Sequence, residues 1–270
     1  GAVLFGGVAW KLARHSRRWA IVFAVLLVFH AVSSLRAFPA HMAYGNELWG
    51  GTANTYRHLS DSNSDWGQQL KSVKKYLDGR GIHECYFVYF AGGVVDTGYY
   101  GIPCKLLPTV NTLWVNEELP VPETIDGTVL ISAGNLSGFE FGPGVLNPYE
   151  QFKSLEPTAV IDHGIFVFDG HFEMQRAAAI WHAQKSQSLM RNRELAEALK
   201  EARKAHSLAP DSVDANVLLA NILMLLKQPA EAKPHLEKAL LLARTVEPAF
   251  QSAQIPRLEG MLKRARGESE

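Results

Sequence analysis

Two cysteines in 270 residues are too few for a disulfide framework or a cysteine-rich metal module. No C-x-x-C, H-E-x-x-H or G-x-S-x-G is present, which removes the commonest sequence routes to a zinc, thiol-redox or serine-hydrolase site. The ten histidines are scattered, with no pair at helical ligand spacing. Acidic residues are missing from the first 36 positions, which carry Lys11, Arg14, Arg17, Arg18 and Arg36. The other 234 residues hold 22 basic and 27 acidic side chains, so the bulk of the chain lacks the positive field that nucleic acid requires. An initiator methionine is missing as well. The sequence begins at Gly1 inside an apolar stretch, and we read it as the C-terminal part of a longer protein.

What is present is ordinary globular composition, 47% apolar and 20% charged, with room for two modest domains. One segment departs from it. Trp19 to Leu35, "WAIVFAVLLVFHAVSSL", is apolar apart from His30 and two serines, and as a helix it is about 26 Å long, near the minimum for crossing a bilayer. A secretory signal would end in a small-residue cleavage site after a short N-region, whereas "GAVLFGGVA" precedes the basic cluster "KLARHSRR". That cluster belongs on the cytoplasmic side. Residues after about 37 are therefore expected outside the cytoplasm, and a buried core helix is the alternative for the apolar run.

From 38 to 170 the texture is mixed. "CYFVYFAGG" (Cys85 to Gly93), "GTVLISAG" (Gly127 to Gly134) and "GIFVFDG" (Gly164 to Gly170) are short, β-branched or aromatic runs closed by glycine, as buried strands are. Between them we expect a helix starting near Asp65 and a short helix over "NPYEQFKSL", with Asn147 as cap and Pro148 in its first turn. The order suggests an α/β layer structure with a largely parallel sheet. Cys85 and Cys104, 19 residues apart, are either bridged or plain buried thiols. "AGGVVDTG" is only a faint phosphate-turn signal, because G-x-G-x-x-G is incomplete.

From about residue 171 to 270 the chain is helix-forming. Ala198, Ala202 and Ala205 recur 34 residues later as Ala232, Leu236 and Ala239, the tetratricopeptide spacing, where small residues let paired helices approach. Pro210 falls where one unit turns into the next, and Asn216, Leu219, Ala220 and Leu223 take first-helix positions of the second. Arg244 replaces the expected closing proline, and "IWHAQKSQSLM" fits its first-helix place poorly. One good repeat, one partial repeat and a closing helix over Ile255 to Arg266 imply a small module for protein interaction or packing.

The stretch "LSDSNSDWGQQLKSVKKYL" places Asp61, Asn63 and Asp65 at alternate positions, as a calcium loop begins. Position six of such a loop would be Trp66 instead of glycine, and position twelve Ser72 instead of glutamate, so the metal reading fails. A helix start explains more: Asp65 and Gln68 have capping-box spacing, Trp66, Leu70, Val73 and Leu77 form one apolar stripe, and Lys71, Lys74 and Lys75 form the open face. Asp61 and Asn63 are left over. They either form Asx turns or line a site.

The same stretch resembles the "DSN-x-DWGQ-x-L" signature of the extracytoplasmic C-terminal part of bacterial multi-spanning glycosyltransferases related to protein O-mannosyltransferases and lipid A aminoarabinose transferases. Asp61, Ser62, Asn63, Asp65, Trp66, Gly67, Gln68 and Leu70 match, and Gln69 stands where the family usually has an acid. "YGNELWGG" (Tyr44 to Gly51) resembles "YFNELAGG", and "YYGIP", "ISAGNLSG", "PYEQF" and "GIFVFD" follow in the family's order. The resemblance covers about residues 10 to 170 and leaves the repeats as a separate appendage.

It implies an enzyme of the bacterial inner membrane that moves a sugar from a polyprenyl-phosphate carrier to an acceptor on the outer face. The family's catalytic acid lies in a first outer loop that this chain lacks, so no catalytic residue is assigned. Asn46, Asp61, Asn63, Asp65 and Trp66 are the candidates for substrate or interface contact. No cofactor is expected of these residues, and a divalent metal in the whole enzyme is left open. The expected organisation is a membrane segment over 1–37, an extracytoplasmic α/β domain over 38–170 and repeats over 171–270. The expected partners are the bilayer, the lipid-linked sugar through the missing membrane domain, and a protein bound by the repeats. The rival reading is a membrane-anchored protein that only binds partners.

Overall fold

The computed structural model describes residues 2–38, 41, 44–45, 47–57, 66–89, 95–109, 120–138, 147–246 and 248–267. Helix α1 (Ala2–His15) is followed, after a break at Ser16, by α2 (Arg17–Arg36). Ser16 is extended, so α2 restarts as its own helix, and its 20 residues make it long and apolar enough to cross a membrane. Little of it is covered by the rest of the protein. A 3-10 turn over Glu47–Trp49 and a second over Thr52–Arg57 lead toward the α/β region.

That region contains α3 (Leu70–Arg80), β1 (Tyr86–Val88), β2 (Lys105–Leu106), β3 (Thr124–Ser132), α4 (Ala133–Ser137), β4 (Ala159–Ile161) and β5 (Ile165–Glu173). The sheet order is β2-β1-β3-β5-β4. Strands β1 and β2 run parallel, as do β1 and β3, but β5 is antiparallel to both β3 and β4. The sheet is thus mixed, where a largely parallel one was expected. The turn between β4 and β5 explains half of the difference. Asp162 and His163 both take positive φ, and Gly164 N–H donates to the Ile161 carbonyl at 3.0 Å. A hairpin this tight leaves no room for the crossover that parallel strands need.

Period-two alternation sorts the strand residues onto two faces. Phe87, Leu130, Ile165 and Val167 face α3, where Leu70, Val73 and Leu77 are buried. A disulfide joins Cys85, just before β1, to Cys104, just before β2, on this side of the sheet. Val88, Val129, Ile131, Phe166 and Phe168 face the other way, onto Tyr149, Phe152 and the start of the helical region.

Five helices follow, α5 (Gln175–Arg191), α6 (Leu195–Leu208), α7 (Val213–Leu225), α8 (Pro229–Ala243) and α9 (Pro248–Arg266). The first of them packs on the sheet. Ala177, Ala178 and Trp181 of α5 are buried in the same cluster as the sheet's phenylalanines. The two alanines let the helix approach closely, and the indole fills the remaining space. Polar links reinforce the seam: Met174 N–H donates to the Glu123 carbonyl at 2.7 Å, and Lys204 pairs with Glu123 at 2.5 Å. The whole chain is mostly helical around a small mixed sheet.

Candidate functional site

The glycine of the "DWGQ" motif decides where its helix starts. Gly67 has φ +77°, a left-handed conformation that a helix cannot contain, so α3 begins at Leu70 and not near Asp65. The expected cap residue Asp65 lies outside the described residues, and Gln68 Oε1 accepts the Trp66 N–H at 2.7 Å. Trp66 consequently leaves the apolar stripe and is 53% exposed, while Leu70, Val73 and Leu77 keep to it. The expected helix after Asn147 is likewise shorter. Asn147 Oδ1 accepts the Tyr149 N–H at 2.9 Å, but this caps a turn that runs into a 3-10 helix over Glu150–Ser154.

Three sheet elements hold the motif in place. Tyr89, directly after β1, donates its hydroxyl to the Gly67 carbonyl at 3.1 Å. Gln69 is buried against the β4–β5 turn, where a Cβ on Gly164 would lie 2.0 Å from Gln69 Nε2. Gly164 in turn accepts the Ala133 N–H at 2.8 Å, at the point where β3 becomes α4. Beyond it, Ser132 donates to Asn135 Oδ1 at 2.8 Å, both side chains fully buried. Helix α4 packs on the Thr52–Arg57 turn, and Thr55 of that turn leaves no space for a side chain at Gly45.

Segments around residues 45, 52–57, 66–70, 89, 132–138 and 164 therefore meet at the carboxyl ends of the parallel strands β1 and β3. Open sheets collect ligands there, because strand ends and loops converge around backbone groups that the ladder has released. The cluster is built from amide, hydroxyl and backbone groups. Both polar atoms of the Gln69 side chain lack a hydrogen-bond partner among the described residues. Among those residues no group of three or more His, Cys, Asp or Glu is placed to hold a metal ion.

Of the sequence candidates, Trp66 is exposed and adjoins this cluster through the turn at Gly67, whereas Asn46, Asp61, Asn63 and Asp65 lie outside the described residues. The sequence contained Tyr89, Ser132, Asn135 and Gly164 within recognisable segments but gave them no role. Their signal was positional only: each lies within or at the edge of a β-rich run.

The second surface is the helical stack. Ala198, Ala202 and Ala205 on α6, and Ala232, Leu236 and Ala239 on α8, are completely buried. The 34-residue period extends to the backbone, since Arg193 and Lys227 both adopt positive φ at the turns within each helix pair. Asn216 Nδ2 donates to the carbonyls of Pro210 and Ser212, fixing the start of α7 to the turn before it. Between α5 and α6, Glu201 lies 2.5 Å from His182 Nδ1 and 3.2 Å from Lys185 Nζ. Burial pushes the Glu201 carboxyl up, but these two partners outweigh it and hold the group below its ordinary range.

Residues 189–254 match the tetratricopeptide repeat family. No curated protein matches the chain.

Proposed function

We propose that this chain is the C-terminal region of a membrane glycosyltransferase that moves a sugar from a polyprenyl-phosphate carrier to an acceptor on the extracytoplasmic face of the bacterial inner membrane, with repeats that bind a protein. One observation carries the reading. Four segments that resemble the transferase family, scattered over residues 44 to 164, contribute Gly45, Trp66 to Leu70, Ser132 to Asn135 and Gly164 to a single cluster at the ends of β1 and β3. In this reading α2 is the last membrane span, and Asn46, Asp61, Asn63, Asp65 and Trp66 approach the substrate or the membrane domain. The catalytic acid belongs to the part of the enzyme before this chain. A small apolar residue pattern of period 34 supports the role given to the repeats, because stacked helix pairs of this kind form interaction surfaces.

The second reading is a membrane-anchored protein with a binding role alone, and the burial of α5 in the core of the sheet favours it. A repeat module fused rigidly to its neighbour presents partners at a fixed orientation with no chemistry required. Transfer of labelled sugar from a polyprenyl-phosphate donor by membranes containing the full-length protein separates the two. The transferase reading expects turnover that falls in Asp61→Ala or Asp65→Ala variants of normal abundance. Absence of transfer with any such donor supports the binding reading.

A further inference from the structure

Large apolar side chains gather where α2 ends. Leu35 is 74% exposed, Phe38 70% and Leu48 95%, the last on the 3-10 turn over Glu47–Trp49. The polar groups between them are engaged with one another. Ser33 Oγ donates to Tyr44 Oη at 2.9 Å, and Tyr44 Oη donates to Glu47 Oε2 at 3.3 Å, so the turn that bears Leu48 is tied to the last part of α2. Ser33 and Ala37 are buried beneath this bridge. The exposed surface here thus combines three large apolar side chains with a tyrosine and a glutamate that are hydrogen-bonded to each other. Arg36 stands at the same level, and the opposite end of α2 carries exposed Trp19 beside Arg17 and Arg18.

We infer that Leu35, Phe38 and Leu48 form a contact with the headgroup boundary of a lipid bilayer, a foot on which the α/β domain rests beside the emerging helix. The inference rests on reading α2 as a membrane span. The partner follows from continuity: the patch extends the lateral face of an apolar helix that is itself almost uncovered, and aromatic and basic residues at both helix ends suit the two interfaces. A bilayer offers apolar chains and polar headgroups within the few ångströms that separate Leu48 from the Tyr44–Glu47 bridge.

The test uses the full chain reconstituted in vesicles of phosphatidylethanolamine and phosphatidylglycerol, with Leu48→Cys or Leu27→Cys labelled by an environment-sensitive fluorophore. Cys85 and Cys104 are bonded to each other and leave the new thiol as the reactive one. The Leu27 probe is expected to be quenched most by a nitroxide near the ends of the lipid chains. For the Leu48 probe, a nitroxide near the headgroups should quench about twofold more than the deep one, with little quenching by aqueous iodide. A Leu48 probe open to iodide overturns the inference, and so does one shielded from both lipid and iodide, which places protein on the patch. Either result beside a quenched Leu27 probe leaves the span intact, whereas an unquenched Leu27 probe overturns the span and the foot together.

Discussion

The side chain of Gln69 lies directly against the α-carbon of Gly164, 95 residues further along the chain, and joins the turn before α3 to the hairpin of β4 and β5. Any side chain at 164 would collide with the amide, so Gly164→Ala should destabilise the protein by about 1–3 kcal/mol, and Gln69→Ala should restore part of the loss. Urea denaturation of the two single variants and the double variant measures the coupling. By contrast, Gln69→Met should be neutral or stabilising, because it removes two buried polar atoms that lack partners among the described residues. A loss above about 1 kcal/mol for Gln69→Met would mean that the amide is paired in solution.

Trp181 belongs to the first helix of the repeats and to the core of the sheet. Trp181→Ala should cost about 3–5 kcal/mol and lower the unfolding midpoints of strand and helix signals together. If only the helical signal moved, the two regions would be energetically separate.

Glu201 makes stability depend on pH. Its carboxyl is lowered when folded, so its contribution is fully present above the unfolded value near 4.5 and is lost as pH falls through the folded value. Glu201→Gln should cost about 1–2 kcal/mol at neutral pH and flatten the acid limb of the stability profile. Thermal melts across that range in both proteins give the comparison.

Arg193 and Lys227 hold left-handed conformations that favour glycine. Arg193→Gly and Lys227→Gly should each stabilise the chain by about 0.5–1 kcal/mol, and their distance along the stack should make them additive. Differential scanning calorimetry of both singles and the double tests this.

The disulfide closes a short loop across β1 and β2. Its reduction should lower stability by about 2–4 kcal/mol. Unfolding with and without a reductant, with Cys85→Ser/Cys104→Ser as control, checks the value.

Much of this fold was legible from pattern. The stripe of Leu70, Val73 and Leu77, the three glycine-bounded strands and the 34-residue alanine period all repeat within short windows, and local periodicity fixes which side is buried. What stayed hidden depends on long-range geometry. Nothing near Ala177 or Trp181 signals that they face a sheet instead of another helix, since small and aromatic residues suit both environments. The antiparallel pairing of β5 with β4 follows from a two-residue turn at Asp162 and His163, neither of them glycine. The candidate cluster was half visible: its segments could be named, but the approach of Gln69 to Gly164 could not be read from either one. The break at Gly67 is hidden in the sequence because an apolar stripe beginning at Trp66 fits the helical period as well as the true one beginning at Leu70.

The most direct test of the functional account is sugar transfer by the full-length protein from a polyprenyl-phosphate donor, compared with Asp61→Ala and Asp65→Ala at equal abundance in membranes. The account predicts transfer by the parent protein and a loss of at least about tenfold, or 1.4 kcal/mol of barrier, in one or both variants. Full activity in both would contradict a role for this motif at the substrate.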